Sequence, residues 1–257
     1  AGMLGMAKKV VVVDLDNTLW GGIVGEDGIN GIKLDSNSPE GEAYLNFQKY
    51  LKKLSANGIA LCACSKNDDK IAKDVFKKHK QIILKLEDFA VFTANYEDKA
   101  KNIKAISKTL NLGLDSFVFV DDSKIECSIV KKILPEVFVI NLDSAEPSEY
   151  IKKIESYNLF YFKNTTKEDL SRIQSYQKLK KYEEAKSNAG DIENFLKELK
   201  PKIYLEKVNK SNVVRAAQLL AKTNQFKFNS NIYSEKELIK FKNKTIVISF
   251  KDRMQNY

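Results

Sequence analysis

Four consecutive valines, Val10 to Val13, run without a break into Asp14-Leu15-Asp16-Asn17-Thr18. A β-branched run with no polar alternation is the mark of a strand buried on both faces. Such a strand belongs inside a parallel sheet with helices on either side, so the run restricts the chain to an α/β architecture. In open sheets of this kind, ligands sit beyond the carboxyl ends of the strands. Asp14 and Asp16 fall at that end. Two carboxylates one residue apart repel each other unless a cation or a shared proton holds them, and a hard cation takes oxygen ligands of this type. The plain alternative is a strand followed by an Asx-type turn.

The rest of the first half repeats the strand-then-helix pattern. Ser38-Pro39-Glu40 opens a helix, with Ser as cap and Pro in the first turn. Ala43, Phe47, Tyr50, Leu51 and Leu54 recur at helical spacing, and Gly58 closes the helix. Ile59–Cys64 reads as a second buried strand, ending in Ser65-Lys66-Asn67-Asp68, and the helix after it should turn Ile71, Val75 and Phe76 inward. An apolar stretch follows at Leu84–Phe92, then a helix from Lys99 carrying Ile103, Ile106 and Leu110. Phe117–Val120 is another buried strand, ending in Asp121-Asp122-Ser123. A helix with Ile125, Ile129, Val130 and Ile133 and a short strand at Val137–Ile140 complete the alternation. Five glycines lie between Gly21 and Gly31, and Gly25-Glu26-Asp27-Gly28 is a hairpin-type signal.

Asp14-Leu15-Asp16-Asn17-Thr18 after a buried strand resembles the DxDxT motif of the haloacid dehalogenase (HAD) superfamily of phosphohydrolases. With DLDNTLWGGIVGEDG, CSKND, FVFVDDS and TNQF, the likeness covers nearly the whole chain from Lys8 on and narrows to the FkbH-like subfamily. It implies a HAD-like doubly wound parallel sheet, a three-layer sandwich with no large cap, closed only by a glycine-rich flap. It also implies roles. Asp14 would be the nucleophile that forms an aspartyl-phosphate, and Asp16 the general acid and then the base that activates water. Mg2+ would be held by Asp14, the backbone carbonyl of Asp16, and a carboxylate from Asp121 or Asp122. Ser65, Lys99, Thr18 and Asn67 would contact the phosphoryl group. By composition alone Lys101 or Lys104 would serve as well as Lys99. The FkbH-like pattern WxPKxxNI aligns Lys99 within Tyr96-Glu97-Asp98-Lys99-Ala100-Lys101-Asn102-Ile103, with Tyr96 and Asp98 in place of the usual Trp and Pro.

The subfamily is linked to removing phosphate from 1,3-bisphosphoglycerate and loading a glyceryl unit onto an acyl carrier protein. A thiol at Cys64 would then be the way station for the acyl group. The alternative is that Cys64, like Cys62, is a small core residue. Two further functional readings stand beside glyceryl transfer: a plain phosphatase of small molecules or sugars in a biosynthetic cluster, and a non-catalytic phosphate-binding scaffold.

Three cysteines, Cys62, Cys64 and Cys127, do not make a disulfide framework, so a reducing cytoplasm is the expected setting. The single histidine, His79, excludes a His-rich metal site and reads as a solvated helix end. No apolar run is long enough to span a bilayer, and no signal peptide is visible. The net charge of +9 is unevenly placed. Residues 1–150 carry 20 basic and 22 acidic side chains, and residues 151–257 carry 23 and 12. The excess is nearly all lysine and interleaved with acids, as in KLKKYEEAK, which argues against nucleic acid and for solvated helix faces. An acidic protein partner for the second half is the minority reading.

The expected organisation is a cloning scar or linker at 1–7, a HAD-like domain at 8–146, a helical extension at 147–200 and a partial module at 201–257. Thr166 is a plausible cap for the extension, and Pro201 breaks the chain. Lys202–Val208, Val213–Thr223 and Thr245–Phe250 read as strand, helix and strand. This beginning resembles the GNAT acetyltransferase-like module that follows the HAD domain in FkbH-like proteins. The glycine-rich loop that would bind coenzyme A is not in this sequence, and acetyl transfer is not expected.

Overall fold

The valine run forms strand β1 (Val10–Val13), and none of its residues is more than 1% exposed. In the computed structural model the described residues are 8–143, 145–160, 200, 202–222 and 233–251. The chain divides into two compact units, residues 1–180 and 181–257.

In the first unit β1 is followed by β2 (Ala60–Ser65), β3 (Val91–Ala94), β4 (Phe117–Asp121) and β5 (Phe138–Asn141). All pair in parallel, in the order β3-β2-β1-β4-β5. The valine strand is therefore central, with β2 and β4 on its two sides, as an uninterrupted apolar run requires. Helices α1 (Val24–Asp27), α2 (Pro39–Ala56), α3 (Asp69–Lys78), α4 (Lys99–Leu110), α5 (Lys124–Ile133) and α6 (Tyr150–Ser156) connect and cover the strands. Val11 and Val13 share a core with α2, α3 and α6, through Phe47, Leu51, Val75, Phe76 and Ile154. Val10 and Val12 share the opposite core with α4 and α5, through Ile103, Ile106 and Val130. The result is the three-layer, doubly wound α/β fold expected for a HAD-like chain.

Local signals account for the helix ends. The Ser38 hydroxyl accepts the Gly41 N–H and Pro39 occupies the first turn of α2. Gly58, just past its end, takes φ of +91°, a region that favours glycine. Two expectations need correction. Ile71 does not face inward: it is 41% exposed, and Ala72, Val75 and Phe76 form the inner face of α3. Gly25-Glu26-Asp27-Gly28 is not a hairpin turn. Val24–Asp27 wind into the single helical turn α1, closed by Gly28 at φ of +70°. The flap is joined lower down, where Gly21 and Lys33 exchange backbone hydrogen bonds.

The buried Gln48 side chain ties this flap to the body of the unit. It donates to the Leu19 carbonyl at 2.9 Å and accepts from the N–H groups of Ile83 and Leu84. The core of this unit continues past residue 146: Tyr150, Ile154 and Leu159 are buried in it. Tyr150 also donates its hydroxyl to the Asn17 carbonyl at 3.1 Å.

In the second unit β6 (Lys202–Lys207) pairs antiparallel with β7 (Ile246–Lys251). Helices α7 (Val213–Lys222) and α8 (Glu235–Lys240) lie between them in sequence. Val208, Val213, Ala216 and Leu238 form its small core. The expected helical run from Thr165, the Thr166 cap and the TNQF motif lie outside the described residues. Among the described residues no helix is long and apolar enough to cross a membrane.

Candidate active site

Successive strand residues point to opposite faces, which decides what each strand end delivers. Asp14, still held to the ladder by its N–H on the Val120 carbonyl at 3.0 Å, continues the series of Val10 and Val12. Asp121 continues the series of Phe117 and Phe119. Both therefore leave the sheet on the side covered by α4 and α5. The first residue of α4 is Lys99, and Asp98 caps that helix by accepting the Lys101 N–H. The Lys99 ammonium lies 2.9 Å from Asp14 Oδ1 and donates to Asp121 Oδ2 at 2.6 Å. All three side chains are buried, with Lys99 itself 3% exposed. This selects Lys99 over Lys101, which is exposed and paired with Glu97.

Asp122 is half-buried and completes a group with Asp14 and Asp121 whose ligand oxygens all lie within 4.8 Å of one another. Three carboxylates thus face one ammonium. Burial, and then the charge of Asp14, raise the Asp121 and Asp122 carboxyls above their ordinary value. Lys99 responds the other way. Burial works to lower it, but the combined pull of Asp14 and Asp121 outweighs that and raises it. The lysine is overcompensated and the carboxylates are undercompensated, which is the electrostatic state of a site built to take a cation.

Asp16 stands apart from this group. Its Oδ1 accepts from the Trp20 indole at 2.8 Å and from the Val24 N–H at 3.0 Å, and its Oδ2 accepts from Asn67 at 2.8 Å. Its carboxylate is therefore not among the clustered ligands, and any cation contact from Asp16 falls to its backbone carbonyl. Asn67 also donates to Ser65 Oγ at 3.3 Å. Its amide nitrogen thus links Asp16 to Ser65. Because Ser65 accepts there, its hydroxyl hydrogen remains to be donated. Thr18 is fully buried beside Asp122.

Cys64 goes with the core. On β2 it shares the inner face with Ala60 and Cys62, and Ser65 shares the other with Leu61 and Ala63. Its thiol is 0% exposed, lies 3.9 Å from the Lys99 carbonyl, and is pushed up to about 12 by burial. A neutral, enclosed thiol is a poor nucleophile. Cys64 and Ser65 lie on opposite faces of β2, with Cys64 on the side to which Asp14 and Lys99 project, so it is enclosure and not direction that favours the core reading of the thiol. Iodoacetamide is expected to leave Cys64 unmodified in the folded protein and to alkylate it after denaturation. Mass spectrometry of the peptide checks this, and rapid labelling of the native protein would contradict it.

Trp20 and Tyr150 are the site residues that sequence reasoning missed. Trp20 had one available signal: a buried indole needs an acceptor for its N–H, and Asp16 is the nearest acid in sequence. Tyr150, 133 residues from Asn17, had none.

Comparison with solved structures places this geometry in context. Over 62% of its length the chain is similar, at 43% identity and a TM-score of 0.60, to the N-terminal part of the protein BF1531 from Bacteroides fragilis. That structure is described as containing a phosphatase domain complexed with Mg. The match spans 42% of that chain. A HAD family enzyme from Bacteroides thetaiotaomicron, in complex with magnesium and inorganic phosphate, matches at 15% identity over 52% of this chain and 94% of its own. Its TM-score is 0.39. No family model matches the chain. No curated protein matches it.

Proposed function

We propose that this protein is a Mg2+-dependent phosphohydrolase that cleaves a phosphate monoester through a phosphoryl group carried on Asp14. The observation that carries the reading is the division of labour among the carboxylates. Asp14, Asp121 and Asp122 converge around Lys99, and Asp16 is held apart by three donors of its own. The 43% identity, over 62% of this chain, to a structure described as containing a phosphatase domain complexed with Mg supports it.

The donor set fits a hard divalent cation: three carboxylates against one ammonium leave negative charge uncancelled. Asp14, Asp121 and Asp122 would hold it, and bound Mg2+ would offset the charge of the phosphoryl oxygens. Lys99 orients Asp14, and Ser65 donates its hydroxyl to a phosphoryl oxygen. The Asp14 carboxylate attacks phosphorus, the bond from phosphorus to the ester oxygen breaks, and Asp16 passes its proton to that oxygen. Water then attacks phosphorus and gives a proton to Asp16. The bond to Asp14 breaks, and inorganic phosphate leaves.

Glyceryl loading from 1,3-bisphosphoglycerate onto an acyl carrier protein is the finer reading that the FkbH-like motifs imply. It needs a reactive thiol at the site, and the enclosure of Cys64, which pushes its thiol up, does not favour that role. The proposed activity therefore ends with the release of inorganic phosphate. The test is hydrolysis of p-nitrophenyl phosphate and of simple alkyl phosphates with Mg2+, with excess chelator, and with Mg2+ restored. Activity should vanish in chelator and return with the cation. Full activity in chelator removes the cation from the mechanism, and inactivity on every phosphomonoester defeats the phosphohydrolase reading.

A further inference from the structure

We infer that Trp20 is a positioning residue for Asp16, selecting which carboxylate oxygen exchanges a proton with the substrate. The inference rests on the phosphohydrolase reading above. A carboxylate oxygen has two lone-pair positions. On Asp16 Oδ1 both are filled, by the Trp20 indole at 2.8 Å and the Val24 N–H at 3.0 Å. Oδ2 has one filled, by Asn67 at 2.8 Å, and so retains a position for a proton. Trp20 thereby does more than hold the carboxylate. It closes one oxygen and leaves the other as the one that gives a proton to the ester oxygen and later takes one from water.

The indole can impose this because it is itself fixed. Trp20 is 0% exposed and packs edge-on against Phe76, with ring centroids 5.7 Å apart. The Gln48 side chain holds the preceding carbonyl, that of Leu19, at 2.9 Å. On the other side, Asn67 is braced by Ser65. The Asp16 carboxylate is thus gripped between the core under α3 and the end of β2. The second donor to Oδ1, Val24, is the first residue of α1, so the folded turn of the flap contributes as well.

Trp20 is the only tryptophan in the chain, so it can be replaced throughout the protein by β-(3-benzothienyl)alanine. That residue keeps the bicyclic shape and carries sulfur in place of N–H. Trp20→Phe serves as a second variant. The readout is kcat/KM for an alkyl phosphate beside kcat/KM for p-nitrophenyl phosphate, both with Mg2+. This ratio reports only the steps up to departure of the leaving group, where Asp16 acts as the acid. A nitrophenolate leaves without a proton and an alkoxide does not. The alkyl phosphate should lose about 10- to 100-fold, part of the usual contribution of general acid catalysis, and the nitrophenyl ester less than about 3-fold. Equal losses on the two esters would mean that Trp20 matters only for packing, and unchanged rates on both would mean that its N–H does not steer Asp16. Failure of both variants to fold counts against the inference too, since it makes the indole a structural requirement. A wild-type protein inactive on both esters overturns the phosphohydrolase reading itself, an outcome distinct from all of these.

Discussion

Asp14→Asn is expected to lower turnover by about 10^4-fold or more, the scale seen when a covalent nucleophile is removed, while leaving the fold intact. Asparagine matches aspartate in shape but cannot accept the phosphoryl group. The lost charge weakens one of the two carboxylate contacts of Lys99, the 2.9 Å pair with Asp14, and leaves the rest of the packing in place. The backbone N–H on the Val120 carbonyl is untouched, and Lys99 keeps its contact to Asp121 at 2.6 Å. Removing one of three crowded carboxylates also relieves repulsion within the site, so without cation the variant should unfold at the same temperature as the wild type or higher. With Mg2+ the wild type should gain more stability than the variant, because a ligand has been lost. Steady-state rates on p-nitrophenyl phosphate and thermal unfolding with and without Mg2+ check both halves. Retained turnover would remove Asp14 from the nucleophile role, and a collapsed circular dichroism spectrum would make it a structural residue instead.

The parts of this site that were legible in the sequence are those set by strand chemistry. An uninterrupted valine run can be satisfied only at the centre of a parallel sheet, and the acids at its end follow from that place. The same reasoning delivered Ser65 and the Asp121-Asp122 pair, and the resemblance to WxPKxxNI selected Lys99. What was not legible depends on which way a side chain faces or on contacts distant in sequence. Cys64 and Ser65 are neighbours in sequence and opposites on the strand, and only the packed fold shows that the thiol is enclosed. Ile71 and Ala72 exchanged places because helical spacing defines a stripe without fixing its exact edge. The glycines near Gly25-Glu26-Asp27-Gly28 suggested a hairpin, but the Val24 N–H found an acceptor in Asp16 and the Ile23 N–H one in Asp27, and a helical turn formed instead. That the Asn67 amide reaches the carboxylate of Asp16, 51 positions away, had no signal in the sequence.

Without divalent cation, the protein is expected to lose stability as pH rises from about 5 to about 8, on the order of 2 kcal/mol. Asp121 is fully buried, and burial and the charge of Asp14 hold its folded value above the ordinary 3.8. An acid raised on folding binds its proton more tightly in the folded chain than in the unfolded one. Its contribution is present below 3.8 and is lost as pH climbs through the raised value. Asp122 shifts in the same direction. His79 works with the opposite sign, since burial lowers it and so folding favours its neutral form. The cluster is therefore read from the difference between chelator and Mg2+. A cation binds the ionised carboxylates, so with Mg2+ the slope should flatten or reverse, by about 2.7 kcal/mol at a hundredfold excess over Kd. Lys99→Met sharpens the contrast, because it leaves buried carboxylates with no ammonium. At high pH in chelator it should cost about 3–5 kcal/mol, the scale of breaking a buried pair, and much less near pH 5, where protonation removes the repulsion. Urea denaturation across this range, with chelator and with Mg2+, measures all of these slopes. Parallel slopes in the two conditions would show that the three carboxylates do not bind the cation, and a pH-independent cost for Lys99→Met would show that they are not ionised together.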